Sequence, residues 1–191
     1  MVVGILAFQG DVAEHADILR KLRVPSIEVR SLLDFAKVDA LIIPGGESTV
    51  IARFLHESGI GSELRRRLKD RKHPFAVYGT CAGAIVLARK ATGKNAPKPL
   101  GVIDITVDRN AYGTQIDSFE TVLPVRGIDE PLSVSFIRAP KITRVGRDVE
   151  VLAEDHGFPV LVREGRVLVG TFHPEMRGET ALHRFLLKIT Q

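Results

Sequence analysis

The stretch FAVYGTCAGAIVLARKA, residues 75–91, holds the only cysteine of the chain, set between Gly79 and Gly83 at the point where an apolar run ends. FAVYG (75–79) reads as a strand, and AGAIVLARKA (82–91) as a helix closed by Gly93. A strand that passes through a glycine-flanked turn straight into a helix is the repeating unit of an α/β sheet, and Cys81 lies on the turn itself. The pattern G-T-C-A-G has the shape of the G-x-S-x-G nucleophile elbow with Cys in place of Ser. Such a turn packs tightly between strand and helix, so its neighbours must be small. It lifts the sulfur clear of the backbone and places it at a helix start, where free N–H groups and the dipole favour a thiolate. Most lone cysteines are small buried core residues; two glycines at these offsets favour the reactive reading.

Outward from the elbow, the same alternation continues. VVGILAF (2–8), SIEVRS (26–31) and DALIIP (39–44) read as strands, the first continuous and β-branched as in a buried parallel sheet. Between them, DVAEHADILRKLR (11–23) carries Val12, Ala16, Leu19 and Leu22 at helical spacing with Asp11 as N-cap, and STVIARFLHES (48–58) is a helix capped by Ser48 or Thr49. The second half is strand-rich: 102–108, 119–125, 132–139, 149–155, 159–164 and 166–172, with a hairpin across Glu164–Gly165, before a terminal amphipathic helix at 178–190. The Lys/Pro/Gly stretch 92–101 reads as a flexible loop, not a linker. One domain, residues 1–191, with a mixed sheet between helices is the expectation.

Composition narrows the function classes. A single cysteine excludes an internal disulfide framework and a cysteine-based zinc site, and points to a reducing, cytoplasmic setting. The N-terminal apolar run is too short to span a membrane and lacks the flanks of a signal peptide. RRRLKDRKH (65–73) is the densest basic run within a net charge of +4. Without interleaved aromatics it reads as a solvated helix face, not a nucleic-acid surface.

A thiolate nucleophile needs a base, and the base an orienter. His15, His56, His73 and His183 fall in helical or basic patterns as solvated or packing residues, and His156 in a turn. His173 differs, standing in TFHPE just past the last strand. Pro174 disfavours helix there, so His173 and Glu175, two apart in extended chain, face one side. PGGES (44–48) follows a buried strand and matches neither common phosphate-loop pattern. It reads as half of an oxyanion hole, with Gly46 offering one N–H and Ala82, directly after Cys81, the other.

PGGES, GTCAG and FHPE in this order resemble the triad-type class I glutamine amidotransferases. AFQGDVAEH, VDRNAYGTQIDSFE (107–120) and FIRAP (136–140) are similar to the glutaminase subunits of pyridoxal 5′-phosphate synthase, over nearly the whole chain. Ala111 and Tyr112 depart from that pattern, where Ser and Phe are frequent, and the loop Lys94–Pro99 differs slightly. The resemblance implies a flavodoxin-like three-layer sandwich with a mixed, mostly parallel central sheet. It implies that Cys81 attacks the amide of L-glutamine, His173 handles the proton and Glu175 orients His173. Glu47, Ser48, Arg109, Ile137 and Arg138 join Gly46 as glutamine-contacting positions; an arginine suits the substrate α-carboxylate. It implies no cofactor and no metal, and a synthase subunit as partner in a large hetero-oligomer. A glutaminase of another amidotransferase, or a non-glutaminase thiol protein of the same fold, are the alternatives. Gly45–Gly46 offers a place for a peptide flip set by the partner, with docking around Gln9–Asp11 and Gly45–Ser48.

Overall fold

The computed structural model describes residues 1–110 and 118–191; the tract 111–117, with Ala111 and Tyr112, lies outside the described residues. In chain order the first half runs β1 (Val3–Leu6), α1 (Val12–Lys21), β2 (Ser26–Val29), α2 (Leu32–Phe35), β3 (Ala40–Ile43), α3 (Ser48–Glu57), α4 (Ile60–Lys69), β4 (Ala76–Thr80), α5 (Ala82–Leu87) and β5 (Ala88–Thr92). The second half runs β6 (Ile103–Asp108), β7 (Phe119–Leu123), β8 (Leu132–Phe136), β9 (Lys141–Val145), β10 (Glu150–Asp155), β11 (Phe158–Glu164), β12 (Val167–Gly170), a 3₁₀ turn (Glu175–Arg177) and α6 (Ala181–Thr190).

The main sheet has the order β10-β11-β12-β4-β3-β1-β2. β2, β1, β3, β4 and β12 run parallel, and β11 and β10 continue the sheet antiparallel through the hairpin expected across Glu164–Gly165. β1, β3, β4 and β12 are buried along their whole length. That is why they read as unbroken apolar runs: both faces are covered. Successive residues alternate between two cores. Leu41, Ile43 and Val77 meet Ile51 and Leu55 of α3, Leu64 of α4 and Ile85 of α5. Ala40, Ile42, Ala76 and Tyr78 meet Leu19 of α1 and Leu182 and Leu186 of α6. The result is a three-layer sandwich, with the small sheet β5-β6-β9 joined to the first core and the β7-β8 pair to the second.

Four readings of the sequence are corrected. The helix expected over 82–91 ends at Leu87, and Ala88–Thr92 turn into a strand pairing with β6. The carbonyls of Val86, Leu87 and Ala88, which a longer helix would use, accept instead from the N–H groups of Leu100, Val102 and Gly101. Tertiary pairing overrides local helical propensity here, and Gly93 (φ +98°) follows a strand instead of closing a helix. The loop between β5 and β6 is tied down: Asn95 O accepts from Arg109, and Lys98 O is 3.1 Å from His56 Nε2. The α3 helix starts at Ser48 with Glu47 as its cap, accepting from Thr49 N at 3.2 Å, so the cap is neither Ser48 nor Thr49. Asp11 makes no side-chain cap for α1; its carboxylate turns elsewhere.

Register brings the functional loops together. Ile43 lies opposite Gly79 and Gly170 opposite Thr80, so β3, β4 and β12 end at one level. The loops that follow β1, β3, β4 and β12 share the carboxyl edge of the parallel sheet, where ligands bind in open α/β folds.

Candidate active site

Cys81 occupies the turn between β4 and α5 with φ +48° and ψ −100°. A non-glycine residue holds such a backbone only where its surroundings enforce it. They do so on both sides. A Cβ on Gly83 would sit 2.3 Å from Ile43 O, and one on Gly79 would sit 2.8 Å from the Gly83 carbonyl carbon. Neither position accepts a side chain without moving backbone. The Cys81 N–H donates to Gly170 O at 2.9 Å, pinning the turn to β12. Ala82 opens α5, and the N–H groups of a first helical turn have no intrahelical acceptor.

His173 extends β12 through a bridge to Ser135, donating its N–H to Ser135 O at 2.8 Å. Its ring Nδ1 lies 2.8 Å from Glu175 Oε1. Glu175 arrives there by a route that differs from the sequence reading. Pro174 is helical (φ −72°, ψ −27°), and Glu175 begins a 3₁₀ turn, so the two side chains meet around a bend and not along an extended strand. Nδ1 also lies 3.2 Å from Asp11 Oδ2. Burial works against charge on His173, but hydrogen bonds with Asp11, Cys81 and Glu175 and the attraction of the Cys81 sulfur outweigh it, raising its pKa to about 12. The imidazole is thus held as the cation beside the thiol. Burial raises the pKa of Glu175, with His173 opposing. Asp11, His173 and Glu175 place three ligand-type atoms within 4.8 Å of one another. Glu175 accepts the Nδ1 proton and Asp11 lies within ion-pair distance of the same nitrogen, so this is the arrangement of an oriented base; a cation would have to displace that proton.

The remaining sequence candidates fall into two groups. Gly46 (φ +142°) and Ile137 lie at the site: a Cβ on Gly46 would sit 2.6 Å from Gln9 Oε1, and Ile137 O is 4.0 Å from Cys81 Sγ. Gly45 packs on the His173 ring, where a Cβ would come within 2.3 Å of Cε1. Its carbonyl presses against Gly10, so the planar trans peptide directs the Gly46 N–H the opposite way. Glu47 and Arg109, by contrast, pair with each other: Arg109 Nη2 donates to Glu47 Oε1, and the same carboxylate caps α3. The guanidinium expected to meet a carboxylate already holds one. The Ser48 hydroxyl is buried without a partner among the described residues. Arg138 is exposed with φ +46°.

Sequence reasoning took Asp11 for an N-cap and Gln9–Asp11 for a docking segment, and did not foresee their contacts with His173 and the Gly45–Glu47 turn. Gln9 Oε1 accepts the Glu47 N–H and so braces the Gly45–Glu47 turn; only the Gln-Gly pair after a buried strand hinted at it. His15 and His183 are indeed packing residues, both fully buried, with His15 Nδ1 2.9 Å from His183 Nε2 beneath Glu175. Burial first, then His183 and His173, lowers the pKa of His15 well below its ordinary value, and burial lowers that of His183 to about 4. Both are neutral when folded and take up protons more readily when unfolded. Their contribution to stability is therefore complete above about pH 6.5 and lost as the pH falls toward 4. For His183 the loss reaches roughly 3 kcal/mol. Thermal melts between pH 7 and 4 should show this fall. His183→Gln should flatten it, and an unaltered slope would overturn the assignment.

Residues 5–190 match the family model of the SNO glutamine amidotransferase family. The chain is similar to the pyridoxal 5′-phosphate synthase subunit PdxT of Thermus thermophilus, at 47% identity over 98% of this chain and 97% of that protein. It is likewise similar to PdxT of Thermotoga neapolitana, at 44% identity over 100% of both. A crystal structure of a glutamine amidotransferase superposes with a TM-score of 0.93 at 45% identity, covering 100% of this chain and 99% of that one. PurLQS from Thermotoga maritima, with a TM-score of 0.69 at 15% identity over 100% of this chain and 98% of that one, shares the fold alone.

Proposed function

The chain belongs to the SNO glutamine amidotransferase family, and from that premise we propose that it hydrolyses L-glutamine and passes the ammonia to a synthase subunit that makes pyridoxal 5′-phosphate. The observation that carries the reading is the strained Cys81 elbow set beside a His173 whose Nδ1 is held 2.8 Å from Glu175. It acts as one 191-residue domain, and a single unpaired cysteine suits the reducing cytoplasm. No helix among the described residues is long and apolar enough to cross a membrane.

The steps follow from the geometry. The Cys81 sulfur adds to the side-chain amide carbon, and the carbonyl oxygen takes up negative charge. The Ala82 N–H and, once directed inward, the Gly46 N–H receive that charge. When the sulfur turns from thiolate into thioether, its attraction for the His173 proton disappears. The imidazolium then gives that proton to the departing nitrogen, ammonia leaves, and a glutamyl thioester remains. Neutral His173 next takes a proton from water. The hydroxyl adds to the thioester, the sulfur leaves as thiolate beside the imidazolium, and the acid departs, losing its proton to solvent as glutamate. Glu47, Ser48, Arg109, Ile137 and Arg138 line the approach, and the Glu47–Arg109 pair opens or shares its guanidinium when the α-carboxylate arrives.

Free ammonia is protonated in neutral water and ceases to be a nucleophile, so an unregulated glutaminase would waste its substrate. The Gly45–Gly46 peptide is the point of control. With Gly10 touching its carbonyl, contact at Gln9–Asp11 by the synthase subunit reaches it directly. Steady-state glutamate release should be slow for the isolated chain and rise about 10²–10³-fold with saturating synthase subunit, the effect of gaining one oxyanion donor. Equal turnover in the two conditions removes the control; no glutamate in either removes the glutaminase reading.

A further inference from the structure

Asp11 stands at the start of α1, where an aspartate ordinarily caps the helix, yet its carboxylate caps nothing there. Its Oδ2 is instead 3.2 Å from His173 Nδ1, and a Cβ on Gly45 would sit 2.7 Å from the same oxygen. Glu175 Oε1 approaches the same nitrogen at 2.8 Å. The Nδ1 edge of the ring therefore faces two carboxylates, Glu175 in a hydrogen bond and Asp11 within ion-pair distance. Glu175 comes from the protein interior, with its side chain fully buried, and Asp11 from the mouth of the site, with 31% of its side chain exposed.

We propose that Asp11 is a second positioning residue for His173, pairing with its Nδ1 edge from the solvent side while Glu175 takes the hydrogen bond. The two carboxylates hold the Nδ1 edge from different elements, Glu175 from the 3₁₀ turn and Asp11 from the β1–α1 loop. Gly45 completes the clamp on the ring face. The charged groups that face His173 are Asp11 from the β1–α1 loop, Cys81 from the elbow and Glu175 from the 3₁₀ turn, with buried His15 of α1 behind them. Among these, Asp11 alone is partly open to solvent and lies on the face assigned to synthase docking, so the ring's outer hold is the one a partner can touch.

The arrangement is redundant, and redundancy is measurable. Glutamate release by the complex with the synthase subunit should fall about tenfold in Glu175→Gln and a few-fold in Asp11→Asn, each with KM little changed. The double variant should lose more than the product of the two, because only then is the imidazole without any anionic acceptor. That kinetic arm rests on the glutaminase reading; a second arm does not. In the full chain carrying Cys81→Ala, the titration of His173 followed by the NMR shift of its Cε1 proton should move down by about one unit or more on adding Asp11→Asn, since a nearby carboxylate favours the cation. Asp11→Glu keeps the charge and should leave that value near the parent's. If Asp11 only shaped the loop, Asp11→Asn would leave the titration in place. An unmoved His173 titration, or a double variant no worse than the product of the singles, overturns the proposal. A parent complex that releases no glutamate while the titration still shifts would instead refute the glutaminase reading and leave Asp11 in its role.

Discussion

Cys81→Ala abolishes glutamine hydrolysis, with turnover down on the order of 10⁴-fold or more, the scale seen when the nucleophile of a concerted site is removed. No second thiol exists to replace it, and His173 is left with no nucleophile attached to the elbow. The fold should survive. The left-handed turn is enforced by Gly79, Gly83 and the hydrogen bond from the Cys81 N–H to Gly170 O, none of which involves the sulfur. Steady-state glutamate release in the presence of the synthase subunit measures the loss, and a thermal melt near the parent's shows that packing is intact. A reactive glutamine analogue should add one covalent group, at Cys81. Hydrolysis by Cys81→Ala at the parental rate would end the thioester mechanism outright.

His173→Asn should be the next most damaging change, costing about 10²–10⁴-fold, the usual worth of a positioned acid–base group. Asparagine can approximate the Nδ1 contact to Glu175 but carries no titrating proton toward the sulfur, so the departing nitrogen receives none. Because the parent imidazole is charged with a pKa near 12, its first task is to donate. Single-turnover measurements should therefore show slow ammonia release as well as slow attack. A variant that kept parental turnover would transfer the role to another base. His156 is the residue to test then, although it sits exposed on the β10–β11 turn with φ +47°.

Much of this was legible in the sequence because each signal had a local cause. Unbroken apolar runs at Val3–Leu6, Ala40–Ile43 and Ala76–Thr80 arise from burial on both sheet faces. The glycines around Cys81 are fixed by contacts with Ile43 and with each other, so spacing alone betrayed the elbow. What escaped was decided by distant partners. Ala88–Ala91 is helical by pattern and a strand by its pairing with β6. β9 (KITRV) is short and breaks alternation at Thr143–Arg144, and it is fixed as a strand by its antiparallel partner β6. The helix α2 had a signal that went unused: Ser31 and Asp34 form the S-x-x-D capping pattern, with Asp34 N bonded to Ser31 Oγ. Asp11 was misread for an instructive reason. Its position before a helix explains an aspartate completely, and nothing in the local sequence announces a histidine more than a hundred residues away.

The bond from the Cys81 N–H to Gly170 O links two halves of the polypeptide made at different times. β12 enters the sheet between β4 and β11, against a neighbour some ninety residues earlier in the chain. Such long-range parallel pairing is slow to form, because loop closure must precede any reward from contact. A nascent or refolding chain can therefore hold β1, β3 and β4 together with the elbow already sketched, yet possess neither the acceptor that sets the cysteine backbone nor the histidine that follows it. The site is thus complete only when β12 is in place. The strand that completes the sheet is also the one that delivers the base.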